Sequence, residues 1–349
     1  MTLLGKKQSL DMAVGIARDE DAPVSAFQQF MERIGAFWTF GVLILMVVIF
    51  GFVAPEIYTK AAWLATAGYG VEYLILAVGQ TFVILTGGID LADGATLGFS
   101  AMAGSLVMSN LLNHHSSGTE AMTLGIIVML VMGTFIGFVN GVIITKMKIP
   151  PFIVTLGMLT AITGGTDLLN NGAEVTNLPG AMSTLGTVTI FSGWVPIPVL
   201  IALVVALIGG VVLIRTRFGM RTYSVGSNEV AARRSGINVD WHLIRIYMIS
   251  GFLSGLAGLM VTANFTAATP IAGTNDELYA IASVIIGGAS IFGGRGTMFG
   301  TVIGTAIIAT LTTGLVLANV APFWQQVAIG AIIVAAVAID RVRVKVGTD

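Results

Sequence analysis

The chain of 349 residues contains no cysteine, three histidines and few charges. Without cysteine, disulfides and thiolate metal sites are excluded, and His114, His115 and His242 are too few to favour a metal centre. Charged residues make up 10% of the chain, whereas soluble domains carry about 25%. The net charge of −1 leaves no basic excess for binding nucleic acid. Because so few charges cannot cover a water-facing surface, a soluble globular protein is excluded.

The sequence consists largely of long runs of apolar residues. Hydrophobic residues make up 55% of the chain, and the mean hydropathy is +0.92. Runs of about 20 residues match a helix that crosses a ~30 Å hydrocarbon core. The pattern predicts an all-α polytopic membrane protein with ten transmembrane helices, of which 279–292 is the shortest and most interrupted. The predicted spans are 35–54, 63–86, 95–112, 121–145, 152–170, 196–214, 244–267, 279–292, 297–318 and 323–339.

The charges also define the predicted domain organisation. A polar N-terminal tail (1–34) precedes a transmembrane domain (35–340) with a cytoplasmic loop (215–243), and a short C-terminal tail (341–349) follows. The tail is acidic and lacks the short basic start of a signal peptide, so we expect no cleavable signal. Loops rich in lysine and arginine mark the cytoplasmic side. Ten spans with both termini in the cytoplasm leave Lys60 as the only basic residue in the outer loops.

The segment ILTGGIDLADGATLG (84–98) interrupts an apolar stretch with glycines and two carboxylates. An ionised group at the bilayer centre costs about 2.5–3.5 kcal/mol on insertion scales. Non-helical backbone at membrane depth persists only inside protein or beside a cavity. The segment therefore predicts a helix break, either beside a solvated pathway or as a turn at the membrane edge in which Asp90 caps the next span. The break residues are Gly87, Gly88, Asp90, Asp93 and Gly94.

A second segment of the chain resembles this one. GGIDLADGATLG (87–98) resembles GGASIFGGRGTMFG (287–300), and both follow one apolar run and precede another. Duplicated transporters carry such glycine-interrupted segments in corresponding positions of two halves. The alternative is a chance similarity between two glycine-rich apolar segments.

The cytoplasmic loop predicts a short helix at about 228–235, outside the membrane. Ser227 or Asn228 is the N-cap, Glu229 occupies the first turn, Arg233 and Arg234 the last, and Gly236 follows the helix. Its residues Val230, Ala231 and Ala232 are small and permit close docking. Two interpretations remain open: a helix held on the membrane surface by its arginines, and a contact for a cytoplasmic partner.

Five segments, together specific, carry a family resemblance. They are AVGQTFVILTGGIDLADGATLG (77–98), NGVIITKMKIPPFIVTLGML (140–159), RTRFGMRTYSVGSNEVAARRSGI (215–237), AGTNDELYAIASVIIGGASIFGGRGTMFGTVIG (272–304) and WQQVAIGAIIVAAVAID (324–340). In this order they resemble the permease subunits of bacterial ribose-type ABC importers, over about residues 36–340. That family also serves xylose, arabinose, galactose, galactofuranose, myo-inositol and autoinducer-2.

The resemblance implies a type II ABC importer fold in the bacterial inner membrane. It implies a second permease copy or paralogue, cytoplasmic ATPase subunits and a periplasmic sugar-binding protein. The chain itself is then a transport subunit without a cofactor, since it has no G-x-x-x-x-G-K-[ST] phosphate loop, and the partner ATPase binds ATP and magnesium. By similarity, 228–236 is the coupling helix that docks on the ATPase. Its expected contacts are Asn228, Glu229, Ala231, Ala232, Arg233 and Gly236.

The chain also departs from the family pattern. Family members usually read Gly-Ile-Asp-Leu-Ser-Val-Gly, where this chain has Ala92 and Asp93 in place of the serine and the apolar residue. They commonly carry an arginine near Thr163–Gly164, where this chain has Asp167. These departures fit a divergent member or one half of a heterodimer. The sequence specifies neither the sugar nor the choice between homodimer and heterodimer.

Polar residues within the spans are candidate pathway residues. Each also has the chemistry of an interhelical hydrogen bond, which is common in membrane bundles. These residues are Gln80, Thr81, Asn140, Thr155 and Asn264.

Three other functions are open to a chain of this composition. One is an ion-coupled secondary transporter that uses intramembrane acids; Glu72, Asp90, Asp93 and Asp167 are the candidates. Another is the same ABC architecture carrying branched-chain amino acids or nucleosides. A membrane enzyme with magnesium on the Asp-x-x-Asp pair is disfavoured, because further acids or phosphate-binding residues are missing nearby.

Overall fold

The computed structural model describes the backbone of residues 26–346 and the side chains of 39–335 and Ala338. Most of the predicted N-terminal tail and the last three residues of the C-terminal tail lie outside these ranges. Contacts divide the chain into a short unit, Met1–Phe37, and a main unit, Trp38–Asp349. Except for the beginning of the first helix, the main unit contains every feature discussed below.

The described part is built from helices and one small hairpin. The helices are α1 (Ala26–Val53), α2 (Lys60–Leu85), α3 (Asp93–Asn113), α4 (Gly118–Met147), α5 (Pro151–Leu169), α6 (Gly180–Thr187), α7 (Ile197–Arg215), α8 (Arg217–Ser227), α9 (Glu229–Arg234), α10 (Val239–Phe265), α11 (Asp276–Ile286), α12 (Met298–Leu317) and α13 (Pro322–Val346), with a 3-10 turn at Pro55–Tyr58. Strands β1 (Thr189–Ile190) and β2 (Val195–Pro196) pair antiparallel, with Thr189 opposite Pro196.

Among the described residues, seven helices are long and apolar enough to cross a membrane: α2, α3, α4, α5, α7, α10 and α12. Shorter apolar stretches, Thr39–Val53 and Pro322–Ala335, lie in α1 and α13. Each of these helices coincides with a predicted span, which confirms an all-α polytopic architecture. The total of ten crossings stays a prediction.

The predicted helical span at 279–292 is wrong as a complete crossing. Helix α11 has 11 residues, about 16 Å at 1.5 Å per residue, which is roughly half of a ~30 Å core. The segment before it is non-helical and packs against the start of α3, where a Cβ at Gly94 or Gly98 would overlap the carbonyl oxygens of Gly273 and Ala272. A coil buried in protein, followed by a half-length helix, satisfies the rule that irregular backbone avoids lipid.

Glycine packing joins α4 to α10 at the centre of the bundle. Gly133, Gly137 and Gly141 lie one turn apart on α4 and face α10. A Cβ at Gly133 would overlap the carbonyl oxygen of Gly251, and one at Gly141 would lie 2.8 Å from the Cα of Ile244. Close backbone approach is a main source of helix association in membranes. The backbones of α4 and α10 therefore touch, because the glycines of α4 place no side chain between them.

The helices differ in burial. Most of α2, α10 and α12 is buried, whereas α5 and α7 are largely exposed. Helix α7 exposes a row of large apolar side chains, including Leu203 and Leu207. An exposed apolar helix in a membrane protein faces lipid or another subunit.

The two similar glycine-rich segments, 87–98 and 287–300, begin with the same backbone geometry. The N–H of Gly87 donates to the carbonyl oxygen three residues back at 2.9 Å, and that of Gly88 to the one five residues back at 3.1 Å. Gly288 and Ala289 repeat both bonds at the same distances. Gly87 and Gly288 have φ of +79° and +92°, which glycine adopts without strain. The match supports a repeat, and it pairs Gly87 with Gly288 rather than with Gly287.

Candidate functional site

The helix predicted at 228–235 is present as α9. The side chain of Asn228 accepts the N–H of Ala231 at 2.9 Å, which identifies it as the N-cap. Gly236 has φ of +82°, and its N–H donates to the carbonyl of Arg233 at 3.1 Å. The predicted N-cap and the predicted glycine after the helix are confirmed. A cap at each end defines a short helix at a fixed position in the loop.

An ion-pair network holds α9 on the start of α10. The Arg233 guanidinium donates to Glu229 at 2.8 and 3.0 Å and to Asp240 at 2.5 Å. The hydrogen bonds that Arg233 donates to the carboxylates of Asp240 and Glu229 raise the pKa of Arg233, so it stays charged. Because these groups are exposed, each pair contributes about 0–1 kcal/mol to stability. The network therefore acts mainly by setting the orientation of α9.

The expected contact of Ala232 with a partner is revised. Ala232 is buried and packs with Val225 of α8 and Val239 of α10. Its methyl group therefore anchors α9 to its own chain. The other expected contact residues are exposed, and so is Val230. We define the exposed face of α9 as Asn228, Glu229, Val230, Ala231, Arg233 and Gly236.

Helix α8, directly before α9, ends on a contact between the two glycine-rich breaks. We call this contact the glycine junction and define it as residues 85–88, Gly226 and 293–296. The N–H of Gly294 donates to the carbonyl of Leu85 at 2.9 Å. A Cβ at Gly226 would overlap that same carbonyl oxygen and lie 2.6 Å from the nitrogen of Gly294. The end of α8 is therefore in direct backbone contact with the end of α2 and with the segment between α11 and α12.

The predicted helix break at Gly87 is present, since α2 ends at Leu85 and α3 begins at Asp93. Asp90 and Asp93 are buried inside the protein. The position of the break relative to the membrane edge stays a prediction. Asp90 does not cap α3. Its carboxylate accepts the N–H of Ala92 at 3.0 Å, and its backbone carbonyl accepts a hydrogen bond from Gln80.

Asp93 lies at the first position of α3 and faces Glu277. Neither carboxylate oxygen of Asp93 has a hydrogen-bond partner among the described residues. A Cβ at Gly94 would overlap a carboxylate oxygen of Glu277, so no larger residue fits there. Within the described chain, no three acidic or histidine side chains are grouped so that they could hold a metal ion.

Four of the five candidate pathway residues lie in the interior of the bundle. Thr81 shares a hydrogen bond with Thr301 at 2.7 Å, and Thr155 donates to the carbonyl of Ile89 at 3.1 Å. Gln80 holds the break segment, and Asn140 is 1% exposed. Gln80, Thr81 and Thr155 thus link helices and loops, as the interhelical interpretation predicts. The side-chain oxygen of Asn140 has no hydrogen-bond partner among the described residues.

Asn264, the fifth candidate, is exposed and lines a cavity of about 240 Å³. The cavity lies between α2, α6, the hairpin, the start of α7 and α10. Its residues are Leu64, Ala67, Gly68, Val71, Glu72, Gly186, Thr187, Thr189, Pro196, Pro198, Met260, Val261 and Asn264. Sequence reasoning missed it because these residues come from segments far apart in the chain.

The hairpin that borders this cavity is attached to the start of α2. Lys60 donates to the carbonyl of Ser192 at 3.1 Å, and the indole of Trp63 donates to the carbonyl of Trp194 at 2.6 Å. The Lys60 ammonium also lies 5.7 Å from the centre of the Trp194 ring, within cation–π range. These contacts give the cavity a defined wall.

Comparison with known proteins identifies the family. The family model "Branched-chain amino acid transport system / permease component" matches residues 63–337. The ribose import permease protein of Bacillus subtilis is 39% identical, over 90% of this chain and 94% of its own. The D-allose transport system permease protein of Escherichia coli K12 is 35% identical, over 90% and 93%. The fructose import permease protein of Rhizobium meliloti is 32% identical, over 95% and 92%.

No solved structure matches the chain. The family match covers the bundle, the glycine junction and α9, and the relatives are matched over nearly their whole length. The chain therefore belongs to the family of branched-chain amino acid transport system permease components, as a multi-pass transport subunit similar to sugar import permeases.

Proposed function

We propose that this protein is the membrane-spanning subunit of an ATP-driven importer in a bacterial inner membrane and forms the translocation pathway for a monosaccharide. Support for the cargo comes from the relatives, whose names specify ribose, D-allose and fructose. The family description names branched-chain amino acids, so these are the alternative cargo. We favour a sugar because the relatives that match almost the full chain are sugar permeases.

The observation that carries this proposal is the attachment of α9 to α8, whose C-terminal end packs on the glycine junction. Cytoplasmic ATPase subunits bind ATP and magnesium and press on the exposed face of α9. Ala232 and the Arg233 network attach α9 to α8 and α10. The backbone contact at Gly226 then passes the force to the end of α2 and to the segment between α11 and α12. Close-packed contacts of this kind transmit displacement instead of absorbing it.

This mechanism requires partners on both sides of the membrane. A periplasmic binding protein delivers the sugar, and α2 and the segment 266–297 move as the pathway opens to one side and then the other. In alternating-access transporters, one part of the membrane domain rocks against another around the substrate site. No ion needs to bind to this chain, because hydrolysis in the ATPase subunits supplies the driving force.

Reconstitution tests the proposal. In proteoliposomes that contain the permease, its ATPase subunits and the binding protein, we expect uptake of labelled monosaccharide that requires ATP inside. Uptake that persists without the ATPase subunits and collapses with an ion gradient would establish the secondary transporter instead. Transport of leucine in place of every sugar tested would establish the alternative cargo.

A second permease copy is proposed to pack against α5. Gly157, Thr160, Gly164 and Asp167 recur at helical spacing on one exposed face. An acid is unfavourable in lipid, whereas small residues permit close approach of another helix. This face therefore suits a polar or close protein contact better than it suits acyl chains.

Cysteine crosslinking checks this contact. The chain has no cysteine, and a Cβ at Gly164 meets nothing within 4 Å, so Gly164→Cys should fold normally. We expect a bifunctional thiol reagent to convert most of this variant in membranes to a crosslinked dimer. The control is Leu207→Cys, which is exposed on α7. Equal crosslinking of the two variants contradicts the assignment of α5.

Topology is tested by labelling single cysteines in sealed vesicles. Ser117 precedes α4, and Ser227 ends α8; both are exposed. With both termini in the cytoplasm, a membrane-impermeant maleimide should reach Ser117→Cys from outside and Ser227→Cys from inside. Labelling of both from one side would overturn the orientation.

A further inference from the structure

The cavity beside the hairpin contains polar groups that the coupling mechanism does not use. Glu72 lies near the middle of α2, and within the described residues its carboxylate forms no hydrogen bond or ion pair with the protein. An acid inside a membrane domain is costly and marks a functional site unless a partner compensates it. Glu72 therefore needs an explanation that its neighbours in the fold do not supply.

Asn264 extends the same polar surface. Its amide nitrogen lies 3.9 Å from the position that a Cβ at Gly68 would occupy, and Gly68 is one turn before Glu72 on α2. The Asn264 side chain also has no hydrogen-bond partner in the described part of the chain. Two unpartnered polar side chains from different helices thus border one space. Glycine at 68 keeps the region between them open.

The chemistry of the lining favours a neutral ligand rich in hydroxyl groups. The Glu72 carboxylate accepts hydrogen bonds, the Asn264 amide both donates and accepts, and Thr189 adds a hydroxyl. No lysine or arginine lines the cavity, so the carboxylate of an amino acid would have no counter-charge. Apolar residues such as Val71 and Met260 provide walls for C–H groups.

The size of the cavity limits the ligand further. Its volume of about 240 Å³ lies just below the ~300–1,000 Å³ of pockets that take drug-sized ligands. A single sugar ring is the kind of hydroxylated solute that this volume suits. In the predicted topology the loop 171–195, which contributes Gly186, Thr187 and Thr189 to the lining, lies outside, where a delivered sugar arrives.

We propose that this cavity is a binding site for the monosaccharide cargo on the outer half of the permease, with Glu72 and Asn264 as its hydrogen-bonding residues. The inference rests on the proposed function. It adds that part of the selectivity lies in the permease itself and is not confined to the binding protein.

Protection from alkylation tests the site in the assembled importer without binding protein. Thr187 lines the cavity and is exposed, so Thr187→Cys provides a single thiol at its edge. Thr184→Cys, one turn earlier on α6 and outside the lining, is the matched control. We expect D-ribose, D-allose or D-fructose to slow maleimide labelling of Thr187→Cys at least fivefold. Labelling of Thr184→Cys, and labelling in the presence of sucrose, should not change.

Two further substitutions test the named residues. In the Thr187→Cys background, Glu72→Gln and Asn264→Ala should each raise the sugar concentration needed for half-protection at least tenfold. Glu56→Gln, exposed and outside the cavity, should leave it unchanged. If the importer takes up one of these sugars with its binding protein, yet that sugar protects no thiol, the cavity site is refuted and the proposed function stands. If no monosaccharide is taken up under any condition, the proposed function fails.

Discussion

Replacing Ala231 by tryptophan is expected to reduce ATP-driven uptake to background while the permease still folds and inserts. Ala231 lies on the exposed face of α9, so a tryptophan there does not collide with its own chain. A tryptophan at the buried position 232 would collide with it. It instead occupies the space that an ATPase surface needs for close contact. Two quantities are measured in the same proteoliposome sample: sugar uptake and ATP hydrolysis. We expect hydrolysis to continue, uncoupled from transport.

The matched control is Ala231→Ser, which adds one oxygen atom and should keep at least half of the uptake. A second comparison uses the neighbouring residue. Ala232→Trp should lower the amount of folded permease, because Ala232 is packed between α8 and α10 and overpacking costs about 1–3 kcal/mol or more. Normal uptake by Ala231→Trp would refute the coupling role of α9.

Gly133→Val is expected to cause the largest loss of folded protein. A Cβ at this position overlaps the carbonyl oxygen of Gly251 and lies 2.9 Å from the nitrogen of Gly255, both of which are backbone atoms of α10. Because backbone cannot rotate away as a side chain can, α4 and α10 must separate. We expect a destabilisation of about 3 kcal/mol or more, at the upper end of overpacking effects. Thermal unfolding in detergent, followed by size-exclusion chromatography, measures it.

The control for this substitution is Gly41→Val in α1. The side chain of residue 41 would be exposed, and a Cβ there meets nothing within 4 Å. Since valine has a higher helix propensity than glycine, this variant should be neutral or slightly more stable. Similar unfolding temperatures for the two variants would show that the α4–α10 contact tolerates a side chain, contrary to the glycine packing described above.

The four acids considered for an ion-coupled transporter lie at three places in the fold. Asp90 and Asp93 are buried at the break after α2, Glu72 lines the cavity beside the hairpin, and Asp167 is exposed on α5. Asp276 and Glu277, at the start of α11, lie within electrostatic range of Glu72 and of Asp93 respectively. The preference for an ATP-driven importer therefore rests on the sugar-permease relatives and not on the positions of the acids.

Features that depend on short stretches of chain were predictable from the sequence. Membrane class follows from the length of apolar runs, because a helix must match the bilayer thickness. The ends of α9 follow from Asn228 and Gly236, since a cap acts on N–H and C=O groups within four residues. The break at Gly87 follows in the same way from a local backbone preference.

Only the tertiary structure decided which of these residues meet. Ala231 and Ala232 are adjacent and identical in type, yet one is exposed and the other is buried, because α8 and α10 lie on one side of α9. Helix α11 is half-length because the coil before it packs on α3. Glu72, Thr187 and Asn264 share one cavity although more than 70 residues separate any two of them along the chain. Such proximity depends on how whole helices pack, and no local pattern of side chains encodes it.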